Sequence, residues 1–317
     1  MPASQRVDVH HHYVPPAWWS AKSADIARGL NSPPTVMSAW TPETSLAEMD
    51  RSGIASALLS VSTPGVWFGD PLESRRLARA CNEYGASLVQ RHPERFGVFA
   101  ALPLPDVDGS LEEIAYVFDT LGLDGIGLLT SYGDLWPGNA RFAPVFDELE
   151  RRQARVFFHP TKPACCAFVD DIPPSVTEFP FDTTRAVTSL LFSGTFTRCP
   201  NVRWIFAHGG GTVPMLAGRI AETSHARSAA VRERVAADPR ELLRRLYFDV
   251  VLATDPAAVA ALTTLTSTGH LLFGTDYPFM APSATIDGLQ RCGLDPPALR
   301  AIERENAFDL FPRLRPK

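Results

Sequence analysis

Short apolar runs alternate along this chain with longer segments whose apolar residues recur at helical spacing. The runs are almost continuously hydrophobic, which is typical of strands buried on both faces of a parallel sheet. The predicted strands are 7–12, 56–61, 96–102, 125–129, 155–158, 202–207, 246–250 and 271–274. Helical patterns separate them, for example at 42–50, 72–91, 111–121, 143–152, 183–197 and 256–264. Eight strands that alternate with helices predict an α/β fold of the (β/α)8 TIM-barrel type.

An open, doubly wound sheet is the alternative arrangement. It would place a glycine-rich phosphate loop after an early strand, and the sequence contains none. The length of 317 residues allows one large domain or two ordinary ones. Because the alternation continues along the whole chain, we expect a single barrel domain over 1–317. Residues 13–41, rich in tryptophan and paired prolines, are predicted to be an irregular insertion near the active-site rim.

The amino-acid composition argues against several classes of function. The chain is 45% hydrophobic with a net charge of -5, and no basic stripe marks a nucleic-acid surface. No apolar run is long enough to span a membrane, and the first residues carry no apolar signal segment. The five cysteines show no CxxC spacing. We therefore expect a protein of the reducing cytoplasm that binds neither nucleic acid nor membranes.

Three consecutive histidines end the first predicted strand. Alternate residues of a strand share a face, so His10 and His12 point to one side and His11 to the other. Pro15 and Pro16 then prevent the strand from continuing. A remnant of a purification tag is the trivial alternative, but a tag is normally a longer histidine run. Two imidazoles on one face at the end of a strand are typical of a metal site.

Other predicted strands also end in polar residues that could join this pair. His159 follows the fifth strand, His208 the sixth and Asp276 the eighth. The carboxyl ends of barrel strands share one rim, so these side chains are expected to meet. Imidazoles and a carboxylate suit one divalent metal ion, zinc or alternatively manganese. His208 precedes three glycines and is interpreted as an acid/base residue that faces the substrate.

These motifs resemble the amidohydrolase superfamily, and within it the metal-dependent nonoxidative decarboxylases. That branch includes the decarboxylases of aminocarboxymuconate semialdehyde, 6-methylsalicylate and γ-resorcylate. The motifs that carry the resemblance are His10-His11-His12, Phe158-His159-Pro160, Phe206-Ala207-His208-Gly209-Gly210-Gly211 and Phe273-Gly274-Thr275-Asp276-Tyr277-Pro278-Phe279. The resemblance implies metal binding by His10, His12, His159 and Asp276, a catalytic His208 and a homodimer.

The resemblance also bears on the substrate. The muconate-semialdehyde enzymes carry a substrate-binding arginine where Ser45 stands here, and a second, which reaches the partner subunit, matches Arg219. Because Ser45 replaces one of the two substrate-binding arginines, the sequence favours a substrate with a single carboxylate. Aromatic residues near the rim are predicted to contact a planar ring, with Tyr13, Trp18 and Phe279 as candidates.

We therefore expect the metal-dependent decarboxylation of a small aromatic hydroxy acid, with His208 and Asp276 handling the proton. The alternative is a metal-dependent hydrolase of a lactone, an amide or a carbon–carbon bond. No lysine follows the fourth strand to bridge a second metal, which argues against hydrolysis. A protein that only stores metal would give His208 no role.

Overall fold

The computed structural model describes residues 6–30, 34–165, 169–225, 228–235 and 238–316. Eight parallel strands form one sheet, and each strand pairs with the next one along the sequence. The strands are β1 (Arg6–His12), β2 (Ile54–Ser60), β3 (Phe96–Ala101), β4 (Gly125–Leu129), β5 (Arg155–His159), β6 (Arg203–Phe206), β7 (Tyr247–Asp249) and β8 (Leu271–Leu272). Each of them coincides with a predicted apolar run, so the predicted TIM barrel is confirmed.

Backbone hydrogen bonds between β1 and the segment after β8 bring the two edges of the sheet together. The N–H of Val9 donates to the carbonyl of Phe273 at 3.0 Å, and the N–H of Asp276 donates to that of His10 at 2.8 Å. Further along, the N–H of His12 donates to the carbonyl of Tyr277 at 2.7 Å. These bonds nearly close the barrel, so the open-sheet alternative is wrong.

Helices surround the strands. In the part of the chain that the structure describes they are α1 (Pro16–Leu30), α2 (Pro34–Ser38), α3 (Pro42–Ser52), α4 (Pro71–Arg91), α5 (Val107–Tyr116), α6 (Ala143–Arg151), α7 (Glu178–Phe192), α8 (Thr195–Arg198), α9 (Val213–His225), α10 (Ala229–Arg234), α11 (Pro239–Arg244), α12 (Pro256–Leu265), α13 (Ser283–Arg291), α14 (Pro296–Arg300) and α15 (Asn306–Leu310). None of these described helices combines the length and the apolarity that crossing a bilayer would require.

Acidic caps and prolines set where several of these helices begin. The carboxylate of Asp70 accepts hydrogen bonds from two backbone N–H groups in the first turn of α4, and Pro71 occupies the first helical position. Asp255 and Pro256 play the same parts at the start of α12. A proline costs nothing at this position because its missing N–H would have no helical partner. The loops that leave the strands therefore end at defined points.

The prediction that residues 13–41 are irregular is wrong, because α1 and α2 lie within this segment. Pro16 ends the strand but is also well suited to the first turn of a helix. Trp18 and Ile26 are fully buried and anchor α1 to the core. Lys22 has non-helical backbone angles and kinks the helix in the middle.

The barrel interior is filled at the end opposite to the histidines. Val7, Phe99 and Ile205 belong to a buried cluster inside the barrel, and C-terminal residues, among them Phe311, join it. The ring of Phe311 lies 5.6 Å from that of Phe99, edge to face. Packing of this kind closes the N-terminal end of the barrel. The carboxyl ends of the strands remain available for a site.

Candidate active site

A β-bulge in β1 orients the two histidines of the predicted pair. His11 follows Asp8 by three residues, whereas their partners on β2 are only two residues apart, so β1 holds one extra residue here. The bulge lets Val9 pack inside the barrel and still turns His10 inward, where its ring contacts Phe157 at 5.1 Å. The carboxylate of Asp8 accepts a hydrogen bond from the His10 N–H at 3.1 Å and supports this bend.

Five side chains converge at the carboxyl ends of the strands. His10 Nε2 lies 3.1 Å from His12 Nε2, and Asp276 Oδ1 lies 3.3 and 3.0 Å from the two nitrogens. The second oxygen of Asp276, Oδ2, lies 3.5 Å from His208 Nε2. The ring of His159 contacts those of His10 and His12 at 5.0 and 4.7 Å. One potential ligand atom from each of His10, His159, His208 and Asp276 lies within 4.8 Å of all the others.

Fixed acceptors hold three of these rings in one orientation. The acceptors are Asp249 Oδ2, 2.8 Å from His10 Nδ1, the Ser60 carbonyl, 3.1 Å from His12 Nδ1, and the Pro160 carbonyl, 2.8 Å from His159 Nδ1. A carbonyl or carboxylate oxygen can only accept, so these contacts place the proton on Nδ1 of each ring. At His12 the hydroxyl of Ser60 also lies 3.1 Å from Nδ1 and then acts as a second acceptor. In the neutral rings Nε2 then points inward with its lone pair available. Such partners commonly orient metal-binding histidines.

Burial and neighbouring charges separate the protonation states of the cluster. Burial lowers the pKa of His10, but the carboxylates of Asp249 and Asp276 outweigh it and raise this pKa to about 10. Burial dominates at His12 and His159 and lowers the pKa of both. Burial would raise the pKa of Asp276, but the contacts with the histidines hold it well below its ordinary value. The metal-free protein therefore carries one imidazolium beside a carboxylate.

A cavity opens onto this cluster, and a second, smaller chamber adjoins it at His159. The wall of the smaller chamber is largely apolar, whereas that of the larger cavity is mixed. The described residues that line them include no lysine or arginine. The larger cavity is lined by Ser62, Thr63, His159, Ser175, Phe179, His208, Leu252, Asp276, Phe279 and Met280. The cluster therefore supplies the ionisable groups in the larger cavity, and the hydroxyls of Ser62, Thr63 and Ser175 add neutral polar contacts.

A family model described as amidohydrolase matches residues 7–313 of the chain. The chain belongs to the amidohydrolase family. This amidohydrolase is 36% identical to a protein named decarboxylase macB from Penicillium terrestre, over 98% of this chain and 96% of that protein. It is 33% identical to 6-methylsalicylic acid decarboxylase from Penicillium expansum, over 98% of this chain and 97% of that enzyme. A crystal structure described as amidohydrolase II has a TM-score of 0.87 and 28% identity, covering 97% of this chain and 100% of that one.

The amidohydrolase brings only some of the predicted substrate-binding residues to the cluster. Phe279 lines the larger cavity, and its ring lies 5.5 Å from that of His12. Phe179, which the sequence did not single out, lines the same cavity and contacts the ring of His159 at 6.4 Å. Arg219 lies on the exposed face of α9 and lines neither cavity. Its predicted role across a dimer interface stays a prediction.

Tyr13 and Trp18 do not line the cavities, which corrects their prediction as substrate contacts. Both are fully buried in the core outside the barrel. The hydroxyl of Tyr13 donates to the carbonyl of Cys81 on α4 at 3.0 Å, and the ring N–H of Trp18 donates to that of Gly65 at 2.8 Å. Tyr13 follows the inward-facing His12, so alternation along the chain turns its ring outward.

His11 forms a buried hydrogen-bonded chain behind the cluster. Its Nδ1 lies 2.9 Å from Asp8 Oδ2 and its Nε2 lies 2.7 Å from Ser45 Oγ, and all three residues are fully buried. The sequence predicts that His11 turns away from the pair, and this is what the structure shows. Ser45 therefore supports β1 from α3 and does not line the cavity. Consequently, Ser45 does not determine how many carboxylates the substrate carries, and the residues of the cavity walls do.

Asp249 is the residue that sequence reasoning missed. It is the last residue of β7 and is fully buried. It contacts the ring of His10 and also accepts a hydrogen bond from the backbone N–H of His208 at 2.9 Å. The signal was present, because a carboxylate inside an apolar run marks a strand end on the same rim as His159 and Asp276.

Proposed function

We propose that the chain is a metal-dependent decarboxylase of small aromatic hydroxy acids. One divalent ion would be held by His10, His12, His159 and Asp276, with His208 as the acid/base residue. The observation that carries the proposal is the inward convergence of three Nε2 atoms, each fixed by an acceptor on Nδ1, around one carboxylate. The relatives at 36 and 33% identity are named as decarboxylases, one of them of 6-methylsalicylic acid.

The donor set fits a divalent cation. The Nε2 atoms of His10 and His12 lie 3.1 Å apart beside a carboxylate oxygen, an arrangement that needs positive charge between them. In the metal-free protein the imidazolium of His10 supplies that charge, and a divalent cation would take its place. Asp276 Oδ1 is buried and receives no hydrogen bond from the described residues. Imidazole nitrogens and a carboxylate suit zinc, and manganese also accepts such ligands. We infer zinc as the first candidate.

The two oxygens of Asp276 face different histidines, which supports separate metal-binding and acid/base roles within the site. Oδ1 faces His10 and His12, whereas Oδ2 faces His208. His208 borders the cavity, and its Nδ1 is buried without a hydrogen-bond partner among the described residues. Nδ1 of His208 therefore has no fixed acceptor among the described residues, unlike Nδ1 of the other three histidines, whereas its Nε2 faces Asp276. This freedom suits a residue that gives and takes a proton.

The proposed reaction needs a proton at the ring carbon that bears the carboxylate. A metal held by His10, His12, His159 and Asp276 would supply Lewis-acid charge to the polar edge of the substrate. His208 or Asp276 delivers the proton, the bond to the carboxylate then breaks, and its electron pair returns to the ring as CO2 leaves. Phe179 and Phe279 flank the site and orient a planar ring.

The cavity walls favour a substrate with one carboxylate. A second carboxylate would need a cation, and the described walls of both chambers offer no lysine or arginine. Arg219 lies on the exposed face of α9, so we infer that it could serve only across the interface of a homodimer.

We also propose a reducing, cytoplasmic location, since Cys81 and Cys199 are buried free thiols.

A turnover panel tests this function. Metal-loaded protein should release CO2 from salicylate and 6-methylsalicylate, and benzoates without the ortho-hydroxyl should be turned over far more slowly. Turnover of a lactone or amide, with no CO2 from any hydroxybenzoate, would favour the hydrolase alternative. Preference for a dicarboxylate would overturn the assignment of the substrate class.

A further inference from the structure

Asp249 connects two parts of the site through a single carboxylate. Its Oδ2 accepts a hydrogen bond from His10 Nδ1 at 2.8 Å. Its Oδ1 accepts from the backbone N–H groups of His208 at 2.9 Å and Val251 at 3.0 Å. The side chain is fully buried, so water does not compete for these bonds. Three donors thus depend on one residue at the end of β7.

The backbone that Asp249 holds at His208 is strained. His208 has a φ of +55°, a left-handed conformation that residues other than glycine rarely adopt. The turn continues through positive φ angles at the glycines that follow, and a Cβ on Gly210 would lie 2.4 Å from the ring of Phe248. Such conformations persist only where surrounding contacts enforce them. The hydrogen bond from the His208 N–H to Asp249 is one of those contacts.

We propose that Asp249 is a positioning residue that sets the tautomer of the metal ligand His10 and the orientation of His208 together. The inference rests on the proposed function, because it takes His10 as a ligand and His208 as the acid/base residue. By holding both, Asp249 fixes the acid/base ring relative to the metal. It lines neither of the two cavities.

The substitution Asp249→Asn replaces the acceptor that faces His10 Nδ1 with a donor, without changing the size of the side chain. The backbone N–H groups of His208 and Val251 both need the amide oxygen, so the NH2 group faces His10 Nδ1. Two donors cannot form a hydrogen bond, and the His10 ring then takes the tautomer with its proton on Nε2. That proton occupies the position from which His10 would bind the metal.

The experiment compares Asp249→Asn with Asp182→Asn, which serves as a matched control. Asp182 is equally buried and accepts three hydrogen bonds, from Thr130, Ser131 and Trp136, but contacts none of the site histidines. Metal-free proteins are titrated with zinc and with cobalt, and the visible spectrum of the cobalt form is recorded. The decarboxylation kinetics are then measured at saturating zinc.

We expect Asp249→Asn to weaken metal binding about 10–100-fold, to alter the cobalt spectrum, and to lower kcat more than it raises KM. Asp182→Asn should match the wild type in metal affinity and spectrum. If Asp249→Asn has wild-type affinity, spectrum and kcat, or if both variants lose metal equally, the inference is wrong while the proposed function stands. If the wild type itself binds no metal, both are wrong.

A measurement on the wild type covers the case in which Asp249→Asn does not fold. With 15N-labelled histidine, NMR spectra of the metal-free and zinc-bound protein report which ring nitrogen of His10 is protonated. Protonation of Nδ1 in the zinc form supports the inference. A zinc form in which His10 Nδ1 carries no proton overturns it.

Discussion

Asp8, on the first strand, accepts hydrogen bonds from both the backbone N–H and the hydroxyl of Thr275, which lies 267 residues further along the chain. The same carboxylate binds the N–H of His10 and the ring of His11. Thr275 directly precedes Asp276, so this contact ties the eighth strand end to the first at the cluster. Asp8 therefore helps to close the barrel at the point where the metal ligands are proposed to meet.

Removing the hydroxyl of Thr275 should weaken this closure. Thr275→Val keeps the shape and the backbone N–H but leaves Oδ2 of Asp8 with one donor fewer. The hydroxyl also accepts a hydrogen bond from the N–H of Tyr277 at 3.2 Å. Because a hydrogen bond to a buried charged group alone contributes about 1.5–3 kcal/mol, the free energy of unfolding should fall by at least that amount. Urea denaturation of the metal-free protein measures it. Thr195→Val is the control, since its buried hydroxyl bonds to the neutral Ser193 and should cost less. Equal losses of unfolding free energy in the two variants would show that the charge of Asp8 does not strengthen its hydrogen bond with Thr275.

His208 and His159 should respond differently to truncation. His208→Ala should retain the metal while turnover falls by about 10²–10⁴-fold, because only the acid/base group is lost. His159→Ala should lose metal and activity together, because its Nε2 belongs to the converging donors. Metal content by elemental analysis, measured beside kcat, separates the two. Equal metal loss in both variants would indicate that His208 is itself a metal ligand.

Metal binding should release about one proton near neutral pH. The pKa of His10 is raised to about 10 in the metal-free protein, so this ring is protonated below that pH and must lose its proton to bind the metal. The pKa values of His12 and His159 are lowered, so both rings are already neutral and release none. The affinity for the metal should therefore fall about tenfold for each unit by which the pH is lowered from about 8 to 6.5. Calorimetry in buffers of different ionisation enthalpy counts the proton, and a count of zero would contradict the assignment.

The smaller chamber should determine which ring substituents are accepted. Its apolar wall includes Val61 and Leu102. Val61→Phe fills part of the space, so kcat/KM for 6-methylsalicylate should fall roughly tenfold or more relative to that for salicylate. Val89→Phe, on the half-buried face of α4, should leave the ratio unchanged. An unchanged ratio in Val61→Phe would mean that the substituent lies elsewhere.

The barrel and most of the cluster were predictable because two signals coincide. Fully buried parallel strands appear as continuous apolar runs, and His159, His208 and Asp276 stand within two residues of the ends of three of these predicted runs. The same two signals also account for the failed predictions at Tyr13 and Asp249. The alternation that puts His10 and His12 on one face also excludes Tyr13, and the strand-end rule applies to Asp249 as well.

Other features could not be read from the pattern alone. The bulge in β1 makes Val9 and His10 share the interior, which strict alternation forbids. The sequence predicts a helix over 183–197, but Gly194, at a φ of +79°, separates α7 from α8. Likewise α5 begins at Val107, because Asp106 caps it ahead of the first apolar residues of the predicted helix. These details depend on local hydrogen bonds and on backbone angles that the apolar pattern does not encode.

The central claim is that metal bound by this cluster supports nonoxidative decarboxylation. The most direct measurement uses 6-methylsalicylate labelled with 13C in its carboxylate, incubated in D2O with metal-free and zinc-loaded protein. The account predicts one labelled CO2 for each ring that gains one deuterium at the vacated carbon, and only with metal-loaded protein. Equal release by the metal-free protein, or no release from any ortho-hydroxybenzoate by a protein that holds one zinc ion per chain, would contradict it.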